Sequence, residues 1–72
     1  MEICKNKKTG KVFIYLDDKD DGQALMITPQ GVVLSLDPDL FTEPIEIENG
    51  KELMDQGHIS PDQYNIYHQY AD

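Results

Sequence analysis

Three residue types in this chain have reactive or metal-binding chemistry: Cys4, the histidines His58 and His68, and the acidic run Asp17-Asp18-Lys19-Asp20-Asp21-Gly22. Cys4 would act as a nucleophile or metal ligand only with a base or further ligands at a recognisable spacing. It has no CxxC partner and sits beside Ile3 in a strand-like stretch, so it reads as a small core residue. His58 falls at a helix–turn junction and His68 on the polar side of the last helix, which leaves zinc without a ligand set. If Gly22 held the sixth place of a calcium loop, Asp17 would be first, Lys19 third and Thr28 twelfth. A cation at the third place and no carboxylate at the twelfth break that pattern, so the run reads as a polar turn. No phosphate-binding glycine loop, nucleophile elbow or dinucleotide fingerprint is present. The expectation is a non-enzymatic protein with no metal and no cofactor.

Charge narrows the classes further. Fourteen acids face six lysines and no arginine, for a net charge of −8. The charge is polarised: residues 1–11 hold four lysines against Glu2, while residues 12–72 hold two lysines against thirteen acids. A strongly anionic surface opposes binding to phosphate backbones, and the bidentate guanidinium fork that grips phosphate or guanine is missing. With 72 residues and 39% hydrophobic content the chain supports one domain with a thin core. One cysteine allows no internal disulfide. No apolar run reaches the ~18 residues of a membrane span, and Met1-Glu2-Ile3-Cys4-Lys5 does not read as a secretion signal. A cytoplasmic protein without membrane contact is expected.

The elements that position these groups are legible from turn chemistry. Asn6-Lys7-Lys8-Thr9-Gly10 separates Glu2–Lys5 from Lys11–Asp17 and predicts a hairpin. Thr28-Pro29-Gln30-Gly31 does the same for Gln23–Thr28 and Val32–Leu36. Val12–Leu16 and Ala24–Ile27 do not alternate apolar with polar, which implies that both faces of the sheet are covered. Pro44-Ile45-Glu46-Ile47-Glu48 does alternate and reads as a last, edge strand. Between them, Asp37–Thr42 is a loop or one helical turn with Leu40 and Phe41 tucked in.

Asn49 followed by Glu52, then Leu53, Met54 and Gly57, predicts a two-turn helix with its cap and stop. Ser60-Pro61-Asp62-Gln63 starts a second helix, with Ile59 and Tyr64 as a hydrophobic staple. On that helix Tyr64, Ile66, Tyr67, Tyr70 and Ala71 share an arc of about 160°. The fold expected is α+β: a small antiparallel β-meander of four or five strands over 1–48, as a curled sheet or open barrel. A short helix and a C-terminal helix packed on the sheet complete a single domain, as a helical hairpin over 49–72.

Residues 52–64 resemble the SHOCT motif, a short C-terminal helical hairpin. Gly57, Ile59, Ser60 in place of threonine, Gln63 in place of glutamate, and Tyr64 match its order, over about a fifth of the chain. Ile66, Tyr67 and Tyr70 stand where that family continues with lysines and leucines. The resemblance implies an appended interaction or oligomerisation element.

The leading functional expectation is a small acidic protein-interaction module, with Asp37, Asp39, Glu46, Glu48, Tyr67 and Tyr70 as its partner-binding residues. Its partner is expected to be a protein. A second copy is one candidate, with the Lys5–Lys11 hairpin meeting the acidic Asp37–Glu48 edge in a salt-sensitive dimer. An alternative is a nucleic-acid mimic that inhibits a DNA-binding protein. A body roughly 28 Å across would then replace duplex carrying about 16 charges, twice the charge available here. A further alternative is a small barrel that stacks single-stranded bases on Phe13 and Tyr15.

Overall fold

The computed structural model describes residues 1–71, of Ala71 the backbone only; the side chain of Ala71, expected on the apolar helix face, and all of Asp72 lie outside the described residues. Five strands run in chain order: β1 (Glu2–Lys5), β2 (Val12–Asp18), β3 (Ala24–Ile27), β4 (Val33–Leu36) and β5 (Ile45–Glu46). A single 3-10 turn, Pro38–Leu40, precedes β5, and α1 (Gly50–Asp55) and α2 (Pro61–Ala71) follow it. All strand pairs are antiparallel, in the order β4-β3-β2-β1-β5. The fold is α+β, an open sheet with α2 packed on one face.

Both hairpins form where the turn residues place them. Asn6 Oδ1 accepts from the Lys8 and Thr9 amides, and the Gly10 amide closes onto the Asn6 carbonyl at 2.8 Å. In the second hairpin Gly31 has φ +82°, a left-handed conformation that favours glycine. It also has a packing reason to lack a side chain: a Cβ there would lie 3.0 Å from the Asp62 Cβ at the start of α2.

Each face of the sheet is covered by a different part of the chain, which accounts for the non-alternating strands. On one face Ile3, Ile14 and Ile27 pack with Ile59 and with Leu53, Tyr64, Ile66 and Tyr67 from the helices. On the other, Cys4, Ala24 and Met26 pack with Phe13, Tyr15 and Leu36 under Phe41. Phe41 meets the Phe13 ring edge-on, with centroids 4.8 Å apart. The link from β4 to β5 brings it there, and is tied to the end of β1 by Thr42 N–H to Lys5 O at 2.9 Å and to the following turn by Lys7 N–H to Leu40 O at 3.0 Å.

That route corrects one expectation. Phe41 is buried, but its neighbour Leu40 points outward and is 56% exposed. The 3-10 turn ends at Leu40 and extended backbone begins at Phe41, so only the second side chain swings under the sheet. β5 is also shorter than its alternating pattern: the strand covers Ile45 and Glu46 beside β1, while Ile47 still donates its N–H to Met1 O at 2.7 Å and packs its side chain against the helix-covered core.

The helix ends follow their local signals. Asn49 Oδ1 accepts from the Glu52 amide at 3.1 Å. Gly57, with φ +83°, lets His58 N–H reach Leu53 O at 2.9 Å and closes α1 in a Schellman turn. Ser60 and Gln63 form a reciprocal capping box, Gln63 N–H to Ser60 Oγ at 3.0 Å and Ser60 N–H to Gln63 Oε1 at 2.9 Å. Among the described residues no helix is long and apolar enough to cross a membrane.

Candidate functional site

The start of β1, the end of β2, β5 and the last turns of α2 together enclose a cleft of about 460 Å³. It lies at the end of the sheet and is lined by Met1, by Glu2, Tyr15, Leu16, Asp17 and Glu46 from the strands and by Tyr67 and Tyr70 from α2. Pairing register explains how Glu2 and Glu46 come side by side. Glu2 lies opposite Tyr15 in β2 on one side and opposite Glu46 in β5 on the other. A bulge between Tyr15 and Asp17 adds a residue to β2, and both Leu16 and Asp17 line the cleft.

From the other wall, α2 supplies rings at a spacing of three residues, which lie on one helix face. Tyr67 is half-buried and packs on the core, whereas Tyr70, a turn further on, is 55% exposed. Met1 contributes a cation: its amino group donates to Glu46 Oε1 at 3.1 Å and to Ile47 O at 3.4 Å. Glu2 and Asp17 have no salt-bridge partner among the described residues.

Tyr15 has a second partner outside the cleft. Its hydroxyl donates to Asp18 Oδ1. That hydrogen bond, then burial and the nearby negative charge of Asp18, push the phenol up to about 12. On the face under Phe41, burial raises the Cys4 thiol to about 11, and its sulfur lies 3.9 Å from the Met26 sulfur. A thiol held protonated and buried is a poor nucleophile. Among the described residues no three His, Cys, Asp or Glu side chains are grouped so as to hold a metal ion.

Of the residues singled out in the sequence, Glu46, Tyr67 and Tyr70 come together in the cleft. Asp37 and Asp39 lie elsewhere. Asp37 Oδ1 accepts from the Asp39 amide at 2.9 Å and so caps the 3-10 turn, and Asp39 borders a hollow of about 240 Å³ beside Phe41. Glu48 is exposed ahead of α1 and does not line the cleft. The sequence does not single out Glu2 or Asp17, and it points to Tyr15 only as a base-stacking residue. Glu2 and Tyr15 share the strand parity of Cys4 and Phe13, but only the pairing of β5 with β1 brings Glu46 beside them.

The opposite end of β1, β2 and α2 has the opposite charge. Lys5 and Lys11 line a larger groove of about 610 Å³ with Met54, His58, Ile59 and Ser60. Lys5, Lys7, Lys8 and Lys11 are all exposed, with no carboxylate within salt-bridge distance among the described residues.

No protein-family model, curated protein or solved structure matches the chain.

Proposed function

We propose that this chain is a non-enzymatic protein-interaction module whose acidic, tyrosine-walled cleft takes a lysine- or arginine-bearing segment of a protein partner. The observation that carries the reading is the placement of Glu2 directly opposite Glu46 in the β1–β5 ladder. Like charges facing each other across strands are destabilising; the Met1 amino group already offsets Glu46 at 3.1 Å, so among the described residues Glu2 is the carboxylate of the pair left for an incoming cation. Tyr67 and Tyr70 add ring faces suited to a cation and to the alkyl stem behind it.

Magnitudes set the scale of such binding. A cation–π contact at an exposed site contributes about 0.5–1 kcal/mol, and an exposed ion pair about 0–1 kcal/mol. One side chain in the cleft is therefore a weak ligand, and useful affinity needs a segment with several basic residues. The resemblance of residues 52–64 to an appended interaction hairpin supports a binding role. Base stacking is less favoured, because the Phe13 ring is already packed against Phe41.

Titration of the intact chain with an arginine- and lysine-rich peptide, beside a glutamate-rich control, tests the reading. The basic peptide is expected to bind at low salt, to weaken as salt rises, and to weaken again with Tyr70→Ala. Equal binding of both peptides, or no response to Tyr70→Ala, would refute it.

A further inference from the structure

We propose that β4 is a self-association edge: it pairs antiparallel with the β4 of a second copy about a two-fold axis at Leu34. This surface is separate from the cleft, and the inference does not rest on the function proposed above.

β4 is one of the two outer strands of the sheet. Its neighbour β3 pairs with it as Ile27–Val33, Met26–Leu34, Leu25–Ser35 and Ala24–Leu36, and Thr28 N–H donates to Val32 O at 2.8 Å just beyond. Hydrogen-bonded pairs alternate along an antiparallel ladder. Val32, Leu34 and Leu36 therefore turn their backbone groups toward β3, and Val33 and Ser35 turn theirs away from the sheet.

The two edges of the sheet are not equally guarded. β5 is two residues long, follows Pro44 and carries Glu46. Such features discourage pairing with another chain. β4 is longer, at four residues, and has no proline and no charged residue of its own, although Lys19 Nζ reaches across to Ser35 Oγ at 3.2 Å. Residues 22–36 are the longest stretch without a charged side chain in a molecule of net charge −8. The strand itself thus brings no carboxylate to the contact, and the one charge resting on it, Lys19 at Ser35, is opposite in sign to the net charge that separates two copies elsewhere.

Side-chain placement selects the register. With Leu34 opposite Leu34, Val32 faces Leu36 on one side of the joined sheet and Val33 faces Ser35 on the other. Val32 and Leu34, which are 48% and 43% exposed, then cover apolar surface. Val33 and Ser35 of each copy exchange N–H···O bonds, four in all by the ladder pattern. A shift of one residue brings either Asp37 or the Gly31 turn into the ladder. The nearest carboxylates across the axis are Asp37 of one copy and Asp62 of the other, since Asp62 packs on Gly31. Screening them favours association, so this dimer tightens with salt, unlike one built from the lysine hairpin and an acidic edge.

A four-residue edge forms an interface smaller than the usual ~1,600 Å² of a stable complex, so the dimer is concentration-dependent. The experiment is light scattering on the intact chain across a concentration series, repeated as salt rises from about 0.01 M to about 1 M. A dimer is expected that strengthens with salt, and amide exchange at Val33 and Ser35 slows on concentration while Leu34 and Leu36 do not change. Ser35→Pro removes an outward N–H without breaking a bond to β3, and Leu34→Lys sets two cations together at the axis. Each should weaken dimerisation at least about tenfold with unchanged circular dichroism. Leu34→Lys keeps the test open if the proline variant fails to fold. A monomer at every concentration, a dimer that dissolves in salt, or one that survives Leu34→Lys overturns the proposal.

Discussion

Gln63 Nε2 donates to the carbonyl of Ile27 at 3.2 Å, joining α2 to β3 across 36 residues of chain. The same nitrogen donates to Val12 O at 2.9 Å, while Oε1 accepts from Ser60 N–H. A residue that caps a helix therefore also fastens that helix to two strands. Gln63 is 1% exposed, so water cannot replace these partners. Ser60 adds a third tie, donating through Oγ to Pro29 O at 2.7 Å.

Replacing Gln63 with alanine is accordingly expected to cost more than a lost cap. An ordinary cap is worth about 1 kcal/mol, and each buried group left without a partner costs about 1–3 kcal/mol. A domain of this size has roughly 4–11 kcal/mol of stability in total. Urea unfolding should show Gln63→Ala destabilised well beyond Asn49→Ala, whose cap is exposed. Gln63→Glu should be worse at neutral pH than in acid, because its carboxylate would face two carbonyl oxygens.

Removing the whole helical hairpin, α1 with α2, should abolish cooperative folding. Ile59, Tyr64, Ile66 and Tyr67 close one face of the sheet, and without them Ile3, Ile14 and Ile27 are open to water. A chain ending at Asn49 is expected to melt without a sharp transition. An unchanged melting curve would mean that the hairpin is an ornament rather than a lid.

Alkaline pH should reveal the environment of Tyr15. The folded state holds this phenol at about 12 against an ordinary 10. Folding thus favours the protonated form. Its contribution is whole below about pH 10 and is lost as pH rises toward 12. Cys4 follows the same sign over a lower window, from 9 to about 11. Phenol absorbance should show late ionisation of Tyr15 that returns toward the ordinary range in Asp18→Asn. Cys4 should react with a thiol reagent at about pH 8 only after denaturation.

At the cleft, stability and binding should move in opposite directions. Glu2→Gln removes one of two carboxylates facing each other across β1 and β5. Relief of such a pair is worth about 0.2–1 kcal/mol. The variant should melt at a slightly higher temperature and bind the basic peptide more weakly. A loss of stability would show that Glu2 serves the fold instead.

Turns, caps and the staple were legible because each acts between residues a few positions apart, where spacing alone decides geometry. Gly31, Asn49, Gly57 and the Ser60–Gln63 box are of this kind, as is the prediction of two covered sheet faces from the unbroken apolar runs. The tertiary structure decided what depends on distant segments: that β5 returns beside β1, that Phe41 rather than Leu40 fills the second face, and that Gln63 reaches Val12 and Ile27. It also decided the cleft, by placing Glu2 and Glu46 across a ladder and Tyr70 beyond the edge of the core. Local pattern encodes how a segment turns and which side it buries. Pairing between segments is chosen by the free energy of the whole packed chain, and no short window of residues contains it.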